Sequence, residues 1–239
     1  MAGVRVRSEG AVAYVGLDNP PDNRLTAGLV AELAGRIAEL DASDARAIVL
    51  AGVGPDFSAG TDLDELGSME PRQVTAYAKI GQDAAWKIEH GGKPWIAAVE
   101  GRCFGGGQDL ALACDVRVAS ETAVFARPEV EAGWIPMFGG TERLLRMAGK
   151  ATAAELLWTG RTMAAAEAKR VGLVNSVAPA GTALDAAEEL ARGLAAKPAE
   201  SVRAVKRVLA EQLDKPYRNG FIVEAQFVSQ LAHERAAGR

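Results

Sequence analysis

WIAAVEGRCFGGGQDLALACDVRVA, residues 95–119, is the stretch whose reading decides the fold. Trp95-Ile96-Ala97-Ala98-Val99 follows Pro94 as a short, continuously apolar run, the pattern of a strand buried on both faces. Val116-Arg117-Val118-Ala119 gives another short strand. Between the two, Gly105, Gly106 and Gly107 stand in a row and lead into an apolar segment whose helix is expected to begin near Gly106. Strand, glycine turn, helix and strand in that order make an α/β unit.

Outward from this stretch the order repeats. Residues 4–7 and 11–17 alternate or run apolar around Gly10 and predict a pair of strands. From Thr26, a helix cap, Leu29, Val30, Leu33, Ile37 and Leu40 recur at helical spacing. Residues 47–51 repeat the buried-strand pattern, the loop GVGPDFSAGTD follows, and residues 71–89 predict a helix. Residues 123–125 and 174–177 give two more short strands. The expectation is an α/β spiral core over residues 1–180. A helical, oligomerising region is expected over 181–239, with one stripe on Ala186, Leu190 and Leu194, a second on Val202, Val205, Val208, Leu209 and Leu213, and a third on Phe221, Val223, Phe227, Val228 and Leu231. A chain of 239 residues with 49% hydrophobic and 24% charged content can bury a large core. Its net charge of −4 gives no general attraction to nucleic acid or to an anionic membrane, so neither is an expected partner. Cys103 and Cys114 are too few for a disulfide framework or a cysteine metal site, so no metal is expected. No run reaches the roughly 18 apolar residues of a membrane span, and no signal peptide is evident. A soluble cytoplasmic protein is expected.

The glycine triplet is a poor phosphate loop. A Walker loop requires lysine and Ser or Thr after its last glycine, where this chain has Gln108-Asp109. The dinucleotide fingerprint requires a further glycine where this chain has Leu110, and Asp109 would face a pyrophosphate with the wrong charge. Two readings remain for the triplet alone: a close packing corner, or a helix start whose unpartnered N–H groups, free of Cβ atoms, grip a carbonyl oxygen that becomes negative. A second loop, Phe57-Ser58-Ala59-Gly60-Thr61-Asp62, also runs from a buried strand into helical sequence and can supply a second donor. Asp62 there reads as a helix cap before it reads as an acid. Glu129, after Pro128 in a run of apolar residues and turn formers, is a carboxylate that needs a reason. With Asp109 it can form a pair in an apolar cavity, where burial and repulsion raise one pKa so that an acid and a base coexist. Glu131 reads as a solvent residue.

Taken together, these elements resemble the crotonase family, the enoyl-CoA hydratase and isomerase superfamily. The likeness runs from residue 10 to about 227 through Asn19-Pro20-Pro21, Asn23, Leu25, residues 47–50 and 57–63, Lys93-Pro94, the glycine triplet, Cys114-Asp115, and Phe125-Ala126-Arg127-Pro128-Glu129 leading to Gly139-Gly140-Thr141. The resemblance implies a crotonase-like spiral of ββα repeats with a C-terminal helical region, homotrimers or dimers of trimers, and an acyl-CoA thioester substrate. No separate cofactor is implied, because CoA is part of that substrate. It assigns the oxyanion-hole amides to Thr61 and Gly106 and the catalytic acids to Asp109 and Glu129. Ala59, Gly60, Asp62 and Gly105 would then border the substrate, with Trp134, Met137 and Phe138 as an apolar pocket. The implied activity is enoyl-CoA hydration, a lyase reaction of fatty acid metabolism. Alternatives are Δ3,Δ2-enoyl-CoA isomerisation through Glu129 alone and a non-catalytic acyl-CoA binder.

The chain departs from the pattern at named positions. Asp109 is a methylene shorter than the usual glutamate, by about 1.5 Å, and an error of about 1 Å can lower a rate on the order of 10²-fold. Met137 stands where dienoyl-CoA isomerases carry their second acid, which disfavours that activity. Asp64 stands where a lysine is common, and the chain stops at Arg239 without the family's closing CoA-contacting helix. A hydrolase built on Ser58 lacks the glycine elbow, and only His90 and His233 could serve it as base.

Overall fold

Gly10, at a φ of 58°, turns the chain between β1 (Gly3–Glu9) and β2 (Val12–Asp18), so that Glu9 faces Val12 in an antiparallel pair. Thr26 then caps α1 (Ala27–Asp41) by accepting from the Leu29 N–H at 3.2 Å, and the helix buries the five residues whose spacing predicts it. The computed structural model describes residues 2–212. β3 (Ala47–Gly52), β4 (Trp95–Val99), β6 (Val116–Ser120) and β9 (Ser176–Ala178) join β2 in parallel, giving a six-stranded sheet in the order β1-β2-β3-β4-β6-β9. Between them come α2 (Leu63–Ser68), α3 (Pro71–His90) and α4 (Gly105–Ala113).

A second layer makes the arrangement a spiral. β5 (Arg102–Phe104), β7 (Val124–Ala126) and β8 (Met163–Ala164) form a small sheet, and single-residue parallel bridges link Ser58 to Cys103 and Leu25 to Thr61. Each turn therefore gives one strand to the large sheet, one short segment to the inner layer, and a helix that returns the chain. The bridges escape a reading by periodicity, because a segment one to three residues long has no period to detect.

The main core lies between one face of the large sheet and α1, α3 and α4. All nine residues of α4 are buried, including Gln108 and Asp109, and a helix enclosed on every side must be apolar nearly all round. α5 (Gly140–Thr159) and α6 (Ala165–Arg170) complete this side. The opposite face of the sheet is covered by α7 (Ala183–Ala195). Here the expected stripe is corrected: α7 buries Ala183, Ala187, Ala191 and Ala195, while Leu190 is exposed and Ala186 and Leu194 only flank the contact. Small side chains let the helix lie close to the flat apolar surface made by Val12, Val49, Ile96, Ala98 and Val118. α8 (Ala199–Gln212) packs on α3, where Lys206 donates to Ile88 O and Asp115, each at 2.6 Å. The second expected stripe is corrected as well, since α8 exposes Val205 and Leu209 and buries Ala204, Lys206 and Ala210 instead; Leu213 and the stripe from Phe221 to Leu231 lie outside the described residues.

Candidate active site

The loop after β3 is folded back on the strand end, since a Cβ on Gly52 would overlap Asp56 O. Asn23 holds it there. Its side chain donates to Val53 O at 3.0 Å and Asp56 O at 2.8 Å, and its own backbone takes a φ of 55°. Ser58, wholly buried, donates through Oγ to Asn23 O at 2.7 Å and accepts from the Gly60 N–H at 3.1 Å. Ser58 Oγ is thus committed to the loop's shape, which removes it as a hydrolase nucleophile. The Ala59 N–H donates to Asp22 O at 2.9 Å, the Leu25 N–H to Gly60 O at 2.8 Å and the Asp62 N–H to Leu25 O at 3.2 Å. Only the Thr61 N–H in this run has no protein acceptor among the described residues. Asp62 caps α2, accepting from the Asp64 and Glu65 N–H groups, as its sequence context predicts.

The second loop is zipped to the first. The Ser58 N–H donates to Arg102 O at 2.9 Å and the Phe104 N–H to Ser58 O at 3.0 Å. Gly60 and Gly105 take φ values of 94° and 48° where the loops touch, and a Cβ on Gly60 would stand 2.9 Å from Phe104 O. Gly106 then opens α4 with an N–H that has no helical acceptor. A Cβ on Gly106 would sit 3.1 Å from Thr61 Oγ1, so the two unpartnered amides lie on neighbouring residues of adjoining loops. Behind them, Tyr77 of α3 donates its hydroxyl to Leu25 O at 2.9 Å and lies 3.2 Å from Thr61 Oγ1. Burial pushes the Tyr77 phenol up, so it serves here as a neutral donor.

Both carboxylates reach this place through one cation. After β7, Arg127 leads into a single 3-10 turn, Pro128–Ala132, closed by Gly133 at a φ of 75°. The Arg127 guanidinium is wholly enclosed; its Nη1 makes an ion pair with Asp109 Oδ1, lies 3.4 Å from Glu129 Oε1 and donates to Gly105 O at 3.1 Å. The surroundings of the two acids differ. Asp109 has no exposed surface, and its second oxygen accepts the Phe138 N–H at 3.0 Å. Glu129 keeps 8% exposure, Oε2 has no partner among the described residues, and Oε1 would lie 3.4 Å from a Cβ on Gly105. Burial raises the Glu129 pKa above the ordinary value, against the opposing pull of Arg127.

Of the expected pocket residues, Phe138 is brought into the site and is buried. Its ring lies 5.2 Å from that of Tyr77, packs directly on Gly81, and approaches to 3.2 Å of a Cβ position on Gly106. Trp134 and Met137 are half-buried against the main core on the same return segment. Arg127, Asn23 and Tyr77 carry the site without having been singled out by chemistry in the sequence. The available signal for Arg127 was a lone basic residue in the apolar run 123–130, two positions before a carboxylate. Among the described residues no group of three or more His, Cys, Asp or Glu side chains is placed to hold a metal, and no helix is long and apolar enough to cross a membrane.

Residues 7–238 match the family model for enoyl-CoA hydratase/isomerase. The chain is 35% identical over 237 residues to the probable enoyl-CoA hydratase echA8 of Mycobacterium bovis, covering 97% of this chain and 90% of that protein. It is 35% identical over 209 residues to the short-chain-enoyl-CoA hydratase of Clostridium acetobutylicum, covering 86% and 80%. The crystal structure of an enoyl-CoA hydratase from Polaromonas sp. JS666 superposes with a TM-score of 0.94 at 30% identity, covering 99% of this chain and 94% of that one.

Proposed function

The chain belongs to the enoyl-CoA hydratase/isomerase family, and from that premise we propose that it is an enoyl-CoA hydratase acting on short 2-enoyl-CoA thioesters. The observation that carries this reading is the pair of unpartnered amides, Thr61 N–H and Gly106 N–H, on loops zipped together beside the free oxygen of Glu129. The two amides form the oxyanion hole, holding the thioester oxygen as it takes up charge. Donors already fixed in place need no reorganisation when that charge develops, which is the largest contribution such a site makes. Glu129 serves as the proton carrier, since burial raises its pKa and its Oε2 has no partner among the described residues. Asp109 lies behind Arg127 and is paired with it.

Tyr77 and Phe138 wall the space behind the amides, which favours a short acyl group. Ala59, Gly60, Asp62 and Gly105 adjoin the amide pair, and Trp134 and Met137 stand on the segment that leads to Phe138. The scheme needs no group beyond the thioester and water. Homotrimeric assembly is part of the proposal, supported by the exposure of Ile135, Leu145 and Trp158. A cytoplasmic location is also proposed, in keeping with two free, buried cysteines.

The test is loss of crotonyl-CoA absorbance with purified protein, repeated with Glu129→Gln. Turnover that falls by about 10²-fold or more in the variant is expected for loss of a proton-transfer group. Binding of the thioester without turnover by the unmutated protein would refute the activity.

A further inference from the structure

Two carboxylates that share a small buried volume repel each other, and one of them normally holds a proton to relieve this. In this site a third group intervenes. Arg127 lies wholly enclosed between Asp109 and Glu129, and its Nη1 reaches both. Its attachment to the two is unequal. Asp109 is closed on every side: one oxygen is paired with Arg127, the other accepts the Phe138 N–H, and a Cβ on Gly140 would overlap Oδ1. Glu129 touches the guanidinium only at 3.4 Å, and its Oε2 has no partner among the described residues.

We propose that Arg127 is a positioning residue that holds Asp109 out of the proton chemistry and fixes the charge balance at Glu129, so that hydration runs through one carboxylate. The inference rests on the hydratase reading. As the water oxygen bonds to C3, its proton passes to Glu129 and the C2–C3 π pair moves toward the thioester oxygen held by Thr61 and Gly106. The enolate then returns that pair to form the C2–H bond with the proton on Glu129, and the carboxylate is restored. Asp109 stays paired throughout. Other ionisable neighbours do not alter the balance. Cys103 of β5 and Tyr77 of α3 are kept neutral by burial, and Arg143 of α5 is engaged by Glu89 and Phe138 O.

The experiment is the pH profile of kcat/KM for crotonyl-CoA from about pH 5 to about pH 9, which reports the essential groups of the free enzyme. Wild type, Arg127→Gln, Asp109→Asn and the double variant are compared as full chains. Loss of the guanidinium removes the cation beside Glu129, so the acid limb moves upward by roughly 1 pH unit or more in Arg127→Gln. Asp109→Asn leaves the Arg127 charge unshared, so the limb moves downward. The double variant lies between the two, above wild type but below Arg127→Gln, with a combined loss of rate smaller than the product of the single losses. An arginine that only supported the fold would lower kcat without moving the limb, and that result overturns the proposal. So does a limb that disappears in Asp109→Asn, which would make Asp109 a proton carrier. Where Arg127→Gln does not fold, the pair Arg127→Met with Asp109→Leu removes both charges and gives a smaller upward shift, since Arg127 acts on Glu129 more strongly than Asp109 does, and an unmoved limb there is equally fatal. An inactive wild type sinks the hydratase reading and this proposal with it, whereas unmoved limbs with an active wild type sink the proposal alone.

Discussion

Phe138 and Gly81 form a coupled pair whose energetics can be worked out from their contact. The Phe138 ring lies so close to Gly81 that a Cβ there would overlap it, and the position is interior to α3. Truncating a buried phenylalanine costs about 3 to 5 kcal/mol, depending on how far the surroundings collapse. Here the walls include Gly81 and Gly106, which have no side chain to move into the space, and the Tyr77 ring contact is lost as well. Phe138→Ala is therefore expected near 4 to 5 kcal/mol, the upper part of that approximate range. Gly81→Ala alone gains about 1 kcal/mol of helix propensity but loses roughly 1 to 3 kcal/mol to overpacking. In the Phe138→Ala background the overlap is gone, so the same alanine gains that propensity plus about 0.8 kcal/mol for a buried methyl group. The change thus turns from destabilising to stabilising, with a coupling of about 3 kcal/mol. Urea unfolding of the four proteins measures it through the midpoints at constant m. Additivity within about 0.5 kcal/mol would refute the packing argument.

Three further outcomes are expected. Lys206→Met strands Asp115, whose carboxyl is already raised by burial, and should cost about 3 kcal/mol at neutral pH; urea titrations at falling pH should show the deficit shrinking as Asp115 takes a proton, and a pH-independent loss would count against the pairing. Because the folded-state pKa of Glu129 lies above its ordinary 4.5, its contribution favours the fold at low pH and is lost as pH rises through the raised value. Glu129→Gln should accordingly raise Tm at neutral pH and not near pH 4.5, and an equal change at both would contradict the burial argument. Ser58→Ala removes both bonds that shape the Thr61 loop and should lower kcat/KM by roughly 10- to 100-fold through misplacement of the amide; an unaltered kcat/KM would show that the loop holds its shape without them.

The elements that follow local rules were legible in the chain. Thr26 and the stripe after it predict α1 to within a residue, and the apolar runs at 47–51 and 95–99 match β3 and β4. The two glycine loops were also legible, because positive φ and close backbone approach leave a residue-type signature. What was hidden depends on the meeting of distant segments. Arg127 becomes central only because α4 and the 3-10 turn converge on it, bringing Asp109 to it from 18 positions away. On α7, four alanines form the contact while Leu190 is exposed and Leu194 only flanks it, and helical spacing alone favours the larger residues. The unequal surroundings of Asp109 and Glu129 likewise arise from Phe138 and Gly140, on a return segment whose path has no periodic pattern.

The two amides of the site are mounted on supports of very different stiffness. Gly106 belongs to a helix with every residue enclosed, so displacing it means opening the centre of the molecule at close to the free energy of global unfolding. Thr61 leads into α2, six residues long with Leu66 alone buried, where local opening requires far less. One of the two amides is thus fixed and the other compliant. Substitutions on α2 are expected to shift Thr61 while Gly106 stays in place.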